Sequence, residues 1–597
     1  PFEQAAAWVG GDGEVPRAAP WWQCAEALAD VTEEEEAVLR YIERSVAEFD
    51  DGVAPADTPD LTADGSGPWS MRGLGAAAAM GVEQLSFTSS RYHLAFCGYA
   101  AASVLMRCPA YTVRLRRILR QVIEAMLAHR TWGYMGAYWP GPGTQSRPFG
   151  CEENVMWTGH LLQLVTMYEA LTGDPSYRRP GGIVARDAAG APADATDTVA
   201  LAELCARAMR QNVVGGMCCE PGLVFFQCQN HCHLGFRLLE GIVRARGSAD
   251  GCLGTPDITY SAETERWERF ALQNLAAPMR TGAFKVAMVA DKSSAGVQIP
   301  FGHPGSDGWC LAWYFPWARS AGTPSAIWWS VVQPQLASYG YSFSAGPAPA
   351  RGCAPSAGSR CGCSAGKGAA ARGGRRESPG ANDCCLTLDI PPGAWMAQLL
   401  PAAAQAGDLD SFARLRASLL RAHGDERRTA HGERELRLRV GPEWSTGSTA
   451  NFLLGLASAA APGLLRRLAL EGPAPEPWCT PELRAVAPAA VGVFRARVEP
   501  NAGGVDVVLG LLVPAGVGTV ELRLARAGEV VGVAVARAEG LEVRSTSAEG
   551  LPAGEATVVM SLAASAAGGH GRLELRVAVR TASGAGARGL GATLQEA

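Results

Sequence analysis

The stretch ENVMWTGHLLQLVTMYEALTG, residues 153–173, reads as one helix, and its type recurs along most of the chain. Gly173 and the Pro175 that follows supply a stop, in the order a helix C-terminus favours. Glu152 and Glu153 stand at the expected start, where the helix dipole favours carboxylates. Met156 and His160 are four apart, so they share a face with Gln163 and Met167. Gly159 beside the histidine weakens a helix interior and points to close approach by another group.

The same Ala/Leu/Arg periodicity predicts about twelve helices between residues 25 and 475. Their expected spans are 25–48, 84–106, 111–130, 153–172, 198–213, 223–246, 264–276, 308–320, 324–338, 392–406, 409–422 and 446–470. Such a series forms either a solenoid of helix pairs or a closed barrel of six pairs. No internal repeat is found, which favours the barrel. Residues 344–386, rich in Gly, Ala, Ser, Arg and Cys, cannot form a core and read as a disordered insertion in the barrel. From about residue 485 the pattern changes to alternating segments such as VDVVLGLLVP and GRLELRVAVR. Residues 485–597 are therefore expected to form a small antiparallel β-sandwich, and residues 1–24 an N-terminal extension.

Composition excludes several classes. A formal charge of −5 over 597 residues, with no basic helix face, speaks against a nucleic-acid partner. No apolar run reaches the roughly 18 residues of a membrane span. Seventeen cysteines without a regular framework in so long a chain do not describe a secreted disulfide scaffold. The chain begins with Pro1 and not Met, so a cleaved signal peptide is compatible with it and the compartment is left open.

The second informative stretch is CEPGLVFFQC, residues 219–228. Pro221 suits a first helical position, which would put Cys219 at a helix N-terminus, where a thiol can ionise more readily. Cys228 would then lie about two turns into that helix, with Phe225 and Phe226 as apolar walls. Inert buried cysteines, a disulfide, a catalytic thiol pair and a metal site all fit. The last draws on the crowding of Cys218, Cys219, Cys228, His231, Cys232 and His233, although no zinc-finger spacing repeats.

Taken with SRYHLAFCGYAAASVL at 90–105, these motifs resemble the linalool dehydratase/isomerase family, in this order and over roughly residues 25–470. The resemblance implies an (α/α)6 barrel and interconversion of an allylic terpene alcohol with its dehydrated and rearranged partners. By motif it assigns His160 to the active-site histidine, Cys219 and Cys228 to the two active-site cysteines, and Tyr92 to a tyrosine. Met156 and Phe225 match positions lining the apolar pocket, and Trp309 falls where the family tends to have a tyrosine. On the first helix, YIERSVAEFDD at 41–51 places Glu43 on an acid and Phe49 on a tyrosine that the family contributes across a subunit boundary. A third cysteine expected nearby is absent, with Val53 close to its place. A cyclic homo-oligomer with sites near subunit boundaries is thereby implied.

The expected function is thus a hydro-lyase or isomerase on a small hydrophobic alcohol, without metal or organic cofactor. His160 with Glu43 or Tyr92 would serve the oxygen and a cysteine the carbon, or a thiolate would attack carbon directly. An isoprenoid cyclase on the same barrel is the nearest alternative. A carbohydrate-active enzyme, using carboxylates such as Glu152, Glu153 and Asp307 among sixteen tryptophans, and a non-catalytic binding protein are the others.

Overall fold

In the computed structural model the described residues lie within 20–50, 90–246, 258–336, 396–474 and 482–580, with short gaps inside these ranges. The 344–386 segment, Phe49's side chain and Val53 lie outside them. The chain is mostly helical, with small antiparallel sheets among the helices and two larger ones after them.

Thirteen principal helices are described: α1 (Glu33–Asp50), α2 (Ser90–Leu105), α3 (Thr112–Leu127), α4 (Val155–Thr172), α5 (Thr198–Gln211), α6 (Phe226–Arg246), α7 (Ser261–Asn274), α8 (Pro304–Tyr314), α9 (Gly322–Ile327), α10 (Leu399–Gln405), α11 (Leu409–His423), α12 (Ser445–Ala460) and α13 (Leu464–Glu471). Local chemistry accounts for several boundaries. The start of α1 lies later than residue 25 because Thr32 and Glu35 form a reciprocal capping box. The Thr32 N–H donates to Glu35 Oε2 at 2.7 Å and the Glu35 N–H to Thr32 Oγ1 at 3.2 Å. Asp197 and Asp408 cap α5 and α11 by accepting from the Ala200 and Ser411 N–H groups. The single helix expected over 446–470 is two, bent by 81° around Gly463, whose φ of +74° an L-side chain adopts only with strain. No single helix among the described residues is long and apolar enough to cross a membrane.

Every residue of α4 from Val155 to Leu171 is buried, so this helix is the inner element on which its neighbours pack. Burying each of its leucines is worth about 1.5–3 kcal/mol against exposure. Helix α6 packs along α4, and α2 and α3 also pack on it. A Cβ at Gly159 would sit 3.5 Å from the Cys228 carbonyl oxygen, so the close approach expected there is present.

Short strands that periodicity alone does not reveal lie between the helices. Strands β1 (Ile183–Arg186) and β2 (Pro192–Thr196) form a hairpin before α5. A sheet of order β3-β6-β7 joins β3 (Leu223–Phe225), β6 (Ala287–Ala290) and β7 (Ala295–Ile299). In it Phe225 pairs with Ala287 and Leu223 with Val289. Strands β4 (Ala276–Met279) and β5 (Gly282–Phe284) form another hairpin, as do β8 (Gly424–Arg428) and β9 (Arg434–Leu438).

After the helices come β10 (Glu482–Ala487), β11 (Gly492–Asn501), β12 (Gly504–Val513), β13 (Thr519–Ala525), β14 (Glu529–Glu539), β15 (Leu541–Leu551), β16 (Glu555–Ala564) and β17 (Gly571–Arg580). They form two four-stranded antiparallel sheets of order β10-β13-β16-β15 and β11-β12-β17-β14. The period of two buries Leu573, Leu575, Val577 and Val579 on one face of β17. The sheets are tied to the helical part: the Val31 N–H donates to the Phe494 carbonyl at 2.8 Å, and Arg495 holds Asp30 with two bonds of 2.7 Å. Arg107 pairs with Glu35 where neither side chain is exposed, and donates to the Asp30 carbonyl at 2.9 Å.

Candidate functional site

Three helices converge on one buried group. Helix α2 brings Tyr92, Phe96 and Tyr99, spaced i, i+4, i+7 and so on one face; α4 brings His160 and Gln163; α6 brings Cys228 and His231, three apart. Trp309 on α8 closes the group, with its ring centroid 5.3 Å from those of Tyr92 and Phe96. Each of these side chains is at most 5% exposed.

The His160 and His231 rings lie 3.7 Å apart, centroid to centroid. The Trp309 indole donates to His231 Nε2 at 2.9 Å, and His231 Nδ1 is 2.7 Å from Gln163 Oε1. An indole N–H only donates, so Nε2 carries a lone pair and Nδ1 carries the proton that Gln163 accepts. The Gln163 amide faces the other way and donates to Met167 Sδ at 3.4 Å. His231 is thereby held as one neutral tautomer. Burial, and secondarily the neighbouring His160, keeps it well below the ordinary imidazole pKa.

His160 is arranged differently. Its Nδ1 lies 2.8 Å from the Tyr99 hydroxyl, which also reaches the His160 carbonyl oxygen at 3.3 Å. Its Nε2 is buried and has no hydrogen-bond partner among the described residues. When Tyr99 donates to the carbonyl, His160 Nδ1–H donates to Tyr99 and Nε2 presents a lone pair. When Tyr99 donates to Nδ1, Nε2 carries the proton. Turning the Tyr99 hydroxyl, together with moving the ring proton from one nitrogen to the other, changes Nε2 from acceptor to donor. Burial first, and then the Arg91 cation, keeps the ring neutral at pH 7.

The thiols meet as a pair. Cys219 and Cys228 are free, buried and hydrogen-bonded to each other, and the Tyr92 hydroxyl lies 3.8 Å from Cys228 Sγ. The expected helix start at Pro221 is not what forms. Glu220–Pro221–Gly222–Leu223 is a tight turn, with the Leu223 N–H donating to the Glu220 carbonyl at 2.9 Å and Gly222 at φ +74°. Proline followed by a positive-φ glycine is the signature of a type II turn. Helix α6 begins only at Phe226, so Cys228 lies in its first turn and Cys219 is at no helix N-terminus. The Cys219 thiol is accordingly not activated: burial, followed by its bond to Cys228, pushes it well above the ordinary value. The Tyr92 phenol is raised for the same reasons, burial first and Cys228 second.

Of the residues expected at the site, the structure therefore brings together Tyr92, His160, Cys219, Cys228 and Trp309. Met156 is fully buried one turn before His160, and Phe225 is half-buried on β3, its N–H directed at the Cys219 sulfur. Glu43 is not brought to the group within this chain. Its carboxylate is held by Arg114 and Arg117 of α3, whose charges outweigh the upward push of burial and keep it below the ordinary value. Glu152 pairs with Arg207 and Lys292 ahead of α4, while both Asp307 oxygens accept from the Ala283 and Phe284 N–H groups of β5. These carboxylates do not form a facing pair. The Cys/His crowd is likewise divided: Cys218 turns to the Ala290 carbonyl, Cys232 to Cys205 and His233 to Thr264.

Tyr99 and Glu220 were not among the expected site residues, and His231 was expected only within a possible metal crowd. Tyr99 could be found from its i+7 spacing to Tyr92, and His231 from its i+3 spacing to Cys228. Glu220, between Cys219 and Pro221, is 9% exposed with Oε2 lacking a hydrogen-bond partner among the described residues. Its burial raises it to about 7 against the opposing pull of Arg91. The guanidinium of Arg91 lies 4.9 Å from the Tyr92 ring centroid.

Residues 91–329 match the family model described as linalool dehydratase/isomerase. The match supports, over that span, the resemblance that the three motifs imply. The span takes in every residue of the group above and leaves out Glu43 and the two C-terminal sheets. Among solved structures, the GH76A alpha-1,6-mannanase of Salegentibacter sp. HEL1_6 is similar at 11% identity, covering 62% of this chain and 89% of that one, with a TM-score of 0.31. An inactive variant of the same mannanase with alpha-1,6-mannotriose gives 10% identity, the same coverage and a TM-score of 0.31. A likeness of that size carries no argument about function.

Proposed function

We propose that this chain is a lyase or isomerase that acts by acid-base chemistry on a small hydrophobic allylic alcohol of the terpenoid class. The observation that supports it best is the buried His160 Nε2, unpartnered among the described residues and set in a wall of aromatic rings beside two thiols and a phenol. We read the helices as the expected six-pair barrel over 25–475 and the two C-terminal sheets as a sandwich, with the site inside the helical part.

Dehydration of an allylic alcohol protonates the hydroxyl oxygen and breaks the C–O bond, the electron pair leaving with water. The allylic cation then loses a proton from the neighbouring carbon, and that C–H pair becomes the new double bond. Adding water at the far end of the cation gives the rearranged alcohol. Each route needs one group that donates and one that accepts. With its lone pair exposed, His160 Nε2 accepts the carbon-bound proton, and the Tyr99 hydroxyl at Nδ1 stabilises the imidazolium that results. The faces of Tyr92, Phe96 and Trp309 suit a passing carbocation through their ring quadrupoles. Direct thiolate attack on carbon is disfavoured, because burial keeps Cys219 protonated.

Turnover of a panel of allylic terpene alcohols, read by mass spectrometry, tests the reading. Wild type should convert at least one member, and His160→Ala and Cys219→Ala should lose that activity while melting as folded proteins. Full activity in both variants would sink it.

A further inference from the structure

We infer that the Glu220 carboxyl, carried on the turn that presents Cys219, is the group that delivers the proton to the departing hydroxyl. This rests on the allylic-alcohol reading above and adds the acid which that reading leaves unassigned.

The dehydration needs a neutral acid, and Glu43 is held as a carboxylate by two arginines. Glu220 is placed by construction. Pro221 and the positive-φ Gly222 close the turn, the Cys219 N–H donates to the Leu223 carbonyl at 2.7 Å, and the Ala290 N–H donates to the Gly222 carbonyl at 2.9 Å. The turn is thus stitched to both β3 and the end of β6, so the carboxyl sits on a rigid support. Within reach of its charge lie Tyr92 and Cys219, both of which it would push up, and Arg91, which pulls it down.

A buried carboxylate with an oxygen lacking a hydrogen-bond donor is poorly solvated, so the neutral acid is favoured until a substrate oxygen arrives. Its resting value of about 7 suits donation at neutral pH. Once the proton has gone, the Arg91 cation compensates the new carboxylate. Glu220 would lose one proton to the hydroxyl oxygen and His160 would gain one from carbon. The water released can carry that proton back, so the cycle closes without an outside reagent.

The test compares wild type, Glu220→Gln and Glu220→Asp on the alcohol that wild type converts, with infrared difference spectra of the protein across pH 5–9. Glu220→Gln should lose on the order of 100-fold or more in turnover, and Glu220→Asp should recover part of it. Wild type should show a protonated-carboxyl C=O band that titrates near pH 7 and is missing from Glu220→Gln. Equal turnover in Glu220→Gln and wild type would overturn the acid role alone. So would a wild-type spectrum at pH 5 without a band assignable to Glu220, a result that stands even if the glutamine variant folds badly. If wild type converts no alcohol of the panel, the allylic-alcohol reading itself falls and the acid role with it.

Discussion

The imidazole of His160 lies 3.7 Å from that of His231, tilted by 30°, and only one of the two has an unpartnered ring nitrogen among the described residues. His231 is fixed at both nitrogens by Gln163 and Trp309; His160 is fixed at Nδ1 and open at Nε2. A charged His231 at that separation would repel a charged His160, so a locked neutral neighbour lets His160 be the ring that takes a proton.

Replacing Trp309 with Phe removes the donor to His231 Nε2. The buried lone pair left behind should cost about 1–3 kcal/mol of stability. Nitrogen NMR of the histidines should show His231 losing its single-tautomer signature. An unchanged His231 spectrum would argue that another group sets the tautomer.

Tyr99→Phe deletes the hydroxyl that reaches His160 Nδ1 and the His160 carbonyl. Turnover should fall on the order of 100-fold, because Nε2 can no longer be switched between donor and acceptor through that bond. Retention of full kcat, with only a lowered Tm, would mean that Tyr99 has a packing role alone.

Cys219 should resist alkylation at pH 7 in the folded protein and react once denaturant exposes it, since burial favours the thiol over the thiolate. Iodoacetamide labelling followed by peptide mass spectrometry reads this directly. Rapid modification of Cys219 in native protein would restore the activated-thiol route.

Glu43→Gln should cost about 1 kcal/mol through its partly exposed pairing with Arg114 and Arg117. A carboxyl held below its ordinary value gives stability that is present above the unfolded pKa and lost as pH falls through the folded one. The variant and wild type should therefore converge in Tm in acid, below about pH 4. Turnover should stay near wild type; a large loss of kcat with an unchanged Tm would return Glu43 to the catalytic group.

His233 is fully buried and lowered to about 3 by burial first and Arg237 second. Between pH 6.5 and 3 the unfolded chain binds a proton there that the folded chain does not, so stability falls as pH drops, by about 1.4 kcal/mol per pH unit. His233→Gln should flatten the stability–pH slope by that amount, measured by denaturation at pH 6, 5 and 4. An unchanged slope would place the proton on His233 in the folded state.

Much of the helical part was legible because its cues are local. The α4 helix announces its stop by Gly173, and the alternation in GRLELRVAVR marks a strand wherever it pairs. The order of Tyr92, His160 and the two cysteines also carried the family resemblance before any packing was known. What misled were positions where one local cue has two outcomes. Pro221 can open a helix or sit second in a turn; the positive-φ Gly222 and the pairing of β3 with β6 select the turn. In the same way, Gly463 divides a segment whose apolar spacing reads as one helix.

The amino-acid order by itself marked most of the long helices and the alternating C-terminal strands, since those cues follow from spacing along one chain. Tertiary structure alone decided the chemistry of the group. The partners of His160 and His231 lie 61, 68 and 78 residues away, on helices whose crossing no periodicity encodes. Whether a buried nitrogen, thiol or carboxyl is paired or left open depends on that crossing, and so does its protonation. That is why Glu43, on a well-marked helix, ends in an ion-pair cluster, while Glu220, on an unremarked turn, ends beside Cys219 and Arg91.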